Sequence, residues 1–152
     1  MISDIIQFMT AVLALVLGAA AEEVLPKALG VGFPVLLAAV PFMATRLPRL
    51  EGLAFAVAAG AMEEAISVLP PMSGASFFLA VAILSHRLGA SATLSAVSYP
   101  IYQVWLSVWL VGIGGGVFGR LLLAFPIGFL TAFAVGGVLG WFFRKAAVDE
   151  QG

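Results

Sequence analysis

The feature that most constrains this chain is the spacing of its charges. Seven Lys or Arg and eight Asp or Glu are all that 152 residues carry, and they fall in clusters that separate long apolar runs. The runs are Ile5 to Ala21, Val31 to Thr45, Gly52 to Leu69, Ala75 to Ser85, Thr93 to Ile113 and Leu121 to Phe143. Each is continuous rather than alternating apolar and polar, which favours helices over barrel strands. A helix needs about 20 mostly apolar residues to cross the hydrocarbon core of a bilayer. The runs therefore predict an all-α integral membrane protein. Its single transmembrane domain over 1–152 is a compact bundle of about six helices, at 3–21, 31–45, 52–69, 74–86, 92–113 and 120–143.

Composition agrees and excludes several functions. The chain is 62% hydrophobic and 10% charged, with a mean hydropathy of +1.14. Soluble domains carry about 25% charged and about 45–50% apolar residues. A net charge of −1 leaves no basic face for nucleic acid. Six spans would use about 120 residues, which leaves no room for a soluble catalytic or nucleotide-binding domain. The chain has no cysteine, so disulfides, thiolate metal sites and a cysteine nucleophile are excluded. One histidine without cysteine predicts no transition-metal site, and no cofactor is expected.

Breakers mark the connections. Pro34 suits a first helical turn, whereas Pro41 should kink the second helix or end it early. Arg46-Leu47-Pro48-Arg49-Leu50-Glu51 and Pro70-Pro71-Met72-Ser73-Gly74 read as loops, and a further kink is expected at Pro100. The first run lacks the basic start of a signal peptide, since its only early charge is Asp4; it reads as an uncleaved helix. Six spans place Arg46, Arg49, Arg87, Arg144 and Lys145 on one side and Lys27 and Arg120 on the other. The positive-inside rule then predicts both termini in the cytoplasm of a multi-pass inner-membrane protein.

Glu63 and Glu64 are the most informative pair. Counted from Glu51, Glu63 lies about 18 Å into the membrane at 1.5 Å per residue. A charge at mid-bilayer costs about 2.5–3.5 kcal/mol, so such acids usually face protein or water. At 100° per residue Gly52, Ala56, Ala59 and Glu63 share a helix face, with Gly60 and Glu64 at its margin. Leu53, Phe55, Met62 and Ile66 point elsewhere. A small-residue stripe lets another helix backbone approach closely. The acids then either continue a packing face or, in a tilted helix, reach the outer interface.

Glu22-Glu23, with Lys27 nearby, reads as a solvated helix end. The sharper reading is a glutamate-type membrane peptidase, but that chemistry needs a histidine close by. The lone His86 is predicted at the opposite face beside Arg87, as an interfacial cap where a cation is favourable. Two groups on opposite faces cannot share one water, so no enzyme is expected. Gly112/Gly116, Gly115/Gly119 and Gly136/Gly140 match G-x-x-x-G, a packing motif that arises readily by chance in a glycine-rich chain. Trp105, Trp109, Trp141, Tyr99 and Tyr102 fit either interface anchors or the lining of a cavity.

From Val24 to Arg87 the order of features resembles the rod shape-determining protein MreD family. Leu25-Pro26 closes the first run, and Gly30-Val31-Gly32-Phe33-Pro34 opens an aliphatic second. A short basic loop and a glycine-bearing third run ending in an acid follow, then a turn and Ser73-Gly74-Ala75. Beyond His86 only hydropathy agrees. Val35 stands where an acid often follows Pro34 in that family, and Glu63 or Glu64 stands where it usually has aspartate. The resemblance implies a non-enzymatic scaffold of the bacterial cell-elongation machinery in the inner membrane. It would bind a single-span MreC-like partner and link to MreB filaments and cell-wall synthases. It also implies a fold similar to the S components of energy-coupling vitamin transporters. The alternative function is therefore a substrate-binding S component, although the small-residue motif expected on its first span is only loosely present, as Ala14 and Gly18. Such a subunit needs several converging polar groups, and Glu63, Glu64, Gln103 and a few hydroxyls are sparse for a polar vitamin. Composition favours the scaffold.

The assigned face of the third run yields a direct test. Ala56→Leu or Ala59→Leu should lower folded yield in detergent more than Leu53→Ala does, and equal tolerance would contradict the face.

Overall fold

Six helices are found among the described residues, 2–67, 69–110 and 117–149 of a computed structural model. They are α1 (Ile2–Leu29), α2 (Val35–Arg46), α3 (Arg49–Ser67), α4 (Ser73–Leu88), α5 (Ser91–Leu110) and α6 (Val117–Asp149). No strand occurs among the described residues. The helices are unequal: α1 and α6 have 28 and 33 residues, whereas α2 has only 12. Two segments, Asp4–Leu29 and Gly119–Arg144, are long and apolar enough to cross a membrane.

The shortest helix is the centre of the molecule. α2 is apolar on all sides up to its last two residues, Thr45 and Arg46, and a helix of that kind must be covered by protein or lipid. Leu36, Leu37, Ala38, Ala39, Val40, Pro41, Met43 and Ala44 are all buried, and α2 touches each of the five other helices. Pro34 precedes its first turn, and Leu47, in extended conformation, stops it while donating its N–H to Met43 O. The expected early end at Pro41 does not occur. The helix runs through Pro41 to Arg46, and Ser95 of α5 donates its hydroxyl to the Ala38 carbonyl at 2.8 Å.

Close approach of backbones sets the packing around α2. A Cβ on Gly60 of α3 would lie 2.5 Å from Ala75 Cα of α4, and one on Gly52 would lie 3.1 Å from Ala44 Cα of α2. Gly128 of α6 faces the Ala96 carbonyl of α5 at 2.8 Å, measured from the same ideal Cβ position. Gly136 packs on the Phe42 ring, whereas Gly140 has open space. Gly112, Gly115 and Gly116 lie outside the described residues. At the end of the bundle holding the α2 C-terminus, the Arg46 guanidinium sits 4.9 Å above the Phe143 ring.

Three expectations need correction. The first helix does not stop before Glu22-Glu23: it continues through both acids and Pro26 to Leu29. Glu23 pairs with Lys27 one turn on at 3.1 Å, Glu22 finds a partner on α2, and the positive φ of Gly30 then ends the helix. Second, Phe55 is buried in the core. α3 packs on α1, α2 and α4 together, so its buried sector is wider than the small-residue stripe. Third, α2 at 12 residues is about 18 Å long, too short for a full span.

Outer faces of the long helices are left apolar. Phe8, Leu122 and Phe133 are exposed, Phe133 at 79%, and α1 touches α6 only slightly.

Gly60→Ala should destabilise the fold by about 1–3 kcal/mol, because the added methyl meets backbone rather than a movable side chain. Helix propensity alone would favour alanine by about 1 kcal/mol. Gly140→Ala, which meets nothing, should therefore be neutral or slightly stabilising. Thermal unfolding of both variants in detergent distinguishes the two effects.

Candidate functional site

Four of the eight acids, Glu22, Glu23, Glu63 and Glu64, lie at one end of the bundle, where α1 and α3 finish and α2 and α4 begin. Each first helical turn has N–H groups without intrahelical acceptors, and here carboxylates from the neighbouring helix supply them. Glu22 Oε1 accepts the Leu36 N–H at 2.7 Å. Glu64 accepts the Met72 N–H through Oε2 at 3.0 Å and the Ala75 N–H through Oε1 at 2.8 Å. An anion is favoured at a helix N-terminus by the helix dipole as well as by these bonds. Both interactions join helices consecutive in the chain, so each acts as a clasp across a connection. α3 itself closes with Leu69 N–H donating to Glu64 O.

Glu63 points to a different place. Its Oε1 accepts the Ser67 hydroxyl at 3.0 Å, and its carboxyl lies against that of Glu22. The two line a cavity of about 250 Å³ with Phe33, Tyr99, Tyr102 and Gln103. Tyr99 and Gln103 lie one turn apart on α5 and line the same cavity. Tyr102 is 2% exposed, packs on the rings of Phe77 and Phe78 at 5.0 and 5.7 Å, and has no hydrogen-bond partner for its hydroxyl. Glu22 Oε2 is likewise buried without a donor. Trp105 lies 6.1 Å from the Phe77 ring, and its Nε1 donates to Ser73 O at 2.9 Å.

The residues singled out from sequence separate into two groups. Gly52, Ala56, Ala59 and Gly60 are buried inside the bundle, with Gly52 against α2 and Gly60 against α4, so this face of α3 packs within the chain. Pro34 stands at the start of α2 and lines the cavity with Glu63. Glu64 lies one residue away and is taken up by the N-terminus of α4. Glu22, read as a solvated end, is the residue that sequence reasoning misplaced. Its spacing of four from Gly18 and eight from Ala14 continues the small face of α1, and that pattern was the available signal. His86 lies at the other end of the bundle in the last turn of α4, beside Arg49 and Arg87. The carboxyl beside Glu22 belongs to Glu63, and His86 takes no part in this site. Among the described residues no group of three His, Cys, Asp or Glu side chains gathers as a metal site.

No family model matches this chain, and no curated protein and no solved structure matches it.

Removing each clasp should have a distinct effect. Glu64→Ala leaves two N–H groups of the α4 start unpaired and should cost about 1–2 kcal/mol, as losing an N-cap does. Glu22→Gln keeps an oxygen for the Leu36 N–H and removes the carboxyl–carboxyl contact. It should be as stable as the parent or more so, whereas Glu22→Ala should be less stable. Thermal unfolding of the three variants side by side gives the order.

Proposed function

We propose that this chain is a non-enzymatic, multi-pass scaffold of the bacterial inner membrane, with both termini cytoplasmic, that holds the single span of an MreC-like partner for the cell-elongation machinery. The supporting observation is a furrow between α1 and α6. It has a volume of about 320 Å³ and is floored by Ala14, Gly18, Ala39 and Ala134, with Leu17 and Phe142 on its walls. Small residues that let a backbone approach closely are what helix association in lipid requires. The furrow's α1 and α6 walls belong to the two segments long and apolar enough to cross a membrane. The exposed Phe8, Leu122 and Phe133 extend an apolar exterior that water would penalise and lipid would accept. In this reading α2 is a buried part-span. The interior supplies no chemistry: it positions the furrow. The resemblance over Val24 to Arg87 supplies the identity of the partner, and through it the link to MreB filaments and cell-wall synthases.

A second reading, the substrate-binding S component of a vitamin transporter, is favoured by the cavity at Glu22 and Glu63. It predicts co-purifying ATPases and a coupling subunit in place of a single-span protein.

Ala134 is exposed and lines the furrow, so Ala134→Trp fills the furrow without entering the core. On purification from native membranes the variant should keep its folded yield and lose most of a bitopic partner that the parent retains. Retention equal to the parent would contradict the furrow as the docking surface.

A further inference from the structure

The cavity beside α2 carries a deficit of positive charge that the scaffold reading leaves unused. Its polar lining holds two carboxyls, of Glu22 and Glu63, which lie against each other, with the neutral side chains of Ser67, Tyr99, Tyr102 and Gln103; the Tyr102 hydroxyl is buried and unpartnered. No Lys, Arg or His is among the lining residues. The nearest lysine by sequence, Lys27, is turned outward onto Glu23. Two adjacent ionised carboxylates repel unless a proton or a cation sits with them. The remaining walls include the rings of Phe33, Tyr99 and Tyr102, and ring faces attract organic cations. At about 250 Å³ the space equals about eight waters at roughly 30 Å³ each, enough for a small headgroup and not for a drug-sized molecule. It opens where the chain between α1 and α2 meets the end of α3, since Gly32, Phe33 and Ser67 form part of its rim.

We infer that this cavity binds a small protonated amine, with the Glu22 and Glu63 carboxylates accepting its N–H groups, the Tyr102 hydroxyl as a further acceptor and the aromatic rings around it. Such a group has two sources: a free amine, or the ethanolamine headgroup of a membrane lipid. The site is independent of the α1–α6 furrow, from which its polar residues are absent.

The test uses the full chain in nanodiscs of phosphatidylglycerol alone, titrated calorimetrically with ethanolamine hydrochloride and, separately, with ethylene glycol. Saturable binding of ethanolamine and none of the glycol is expected. Glu63→Gln should weaken that binding about tenfold or more, as loss of a charged acceptor does. Tyr102→Phe, which keeps the ring and so the packing, should weaken it by a smaller factor of about threefold. Ala134→Trp should leave it unchanged, which separates this site from the partner furrow. A parallel arm replaces half the lipid with phosphatidylethanolamine and examines the released protein by native mass spectrometry. Retained phosphatidylethanolamine, together with weakened ethanolamine binding, identifies the lipid as the source; unchanged ethanolamine binding identifies a free amine. Absence of both ethanolamine binding and retained lipid overturns the inference. So does amine binding that Glu63→Gln and Tyr102→Phe, both eluting as monodisperse folded protein, leave unaltered, or glycol binding as tight as that of ethanolamine.

Discussion

Burial of a helix too short to stand alone is the constraint on which this architecture depends. α2 is apolar on nearly every side and touches all five other helices, so the bundle is arranged as a sheath around it. A buried helix end leaves N–H groups that water cannot reach, and an unpaired one costs about 1–3 kcal/mol. The Glu22 carboxylate from α1 answers that need at Leu36, and the Ser95 hydroxyl from α5 bonds the chain just beyond it at Ala38. The small residues of α3 and α6 follow from the same requirement. Only glycine or alanine allows helices to close around a core this narrow, as at Gly52 against Ala44 and Gly136 against Phe42.

Acids are scarce in the chain, and three of them do different work within one end of the fold. Glu64 completes the start of α4, Glu22 completes the start of α2, and Glu63 is left facing Glu22 across a cavity. The first two are accounted for by backbone geometry. The third is not, since the Ser67 hydroxyl is a weak partner for a half-buried carboxylate. The pair of carboxyls beside Tyr102 is thus a local property of the cavity, separate from what holds the helices together.

The helical class and the approximate positions of the six segments were legible because the charges of a chain this apolar gather at or within about two turns of its helix ends. The small face of α3 was legible for a similar reason: its period of four leaves few alternatives. Helix ends were less so. α1 runs past Glu22 and Pro26 because a neighbouring helix supplies what the local sequence lacks, and no window of sequence contains that neighbour. Phe55 was misassigned because a helix held between three others buries more than a stripe. The cavity could not be read at all from one run at a time, since Glu22, Glu63 and Tyr102 come from three different helices. Sequence placed each of them at or near a span end or on an aromatic-rich stretch; only the packing around α2 brings them together.

The half-length of α2 also bears on how such a chain would be made. In the membrane reading, a segment about 18 Å long cannot hold itself across a bilayer about 30 Å thick, and α2 has no face of its own for lipid. Biogenesis would then have to deliver it between α1 and α3, with the polar atoms at its start handed from water to Glu22 during that step. Because α2 touches all five other helices, it is fully covered only once α6 has joined the bundle, and truncations before that point should be cleared by quality-control proteases.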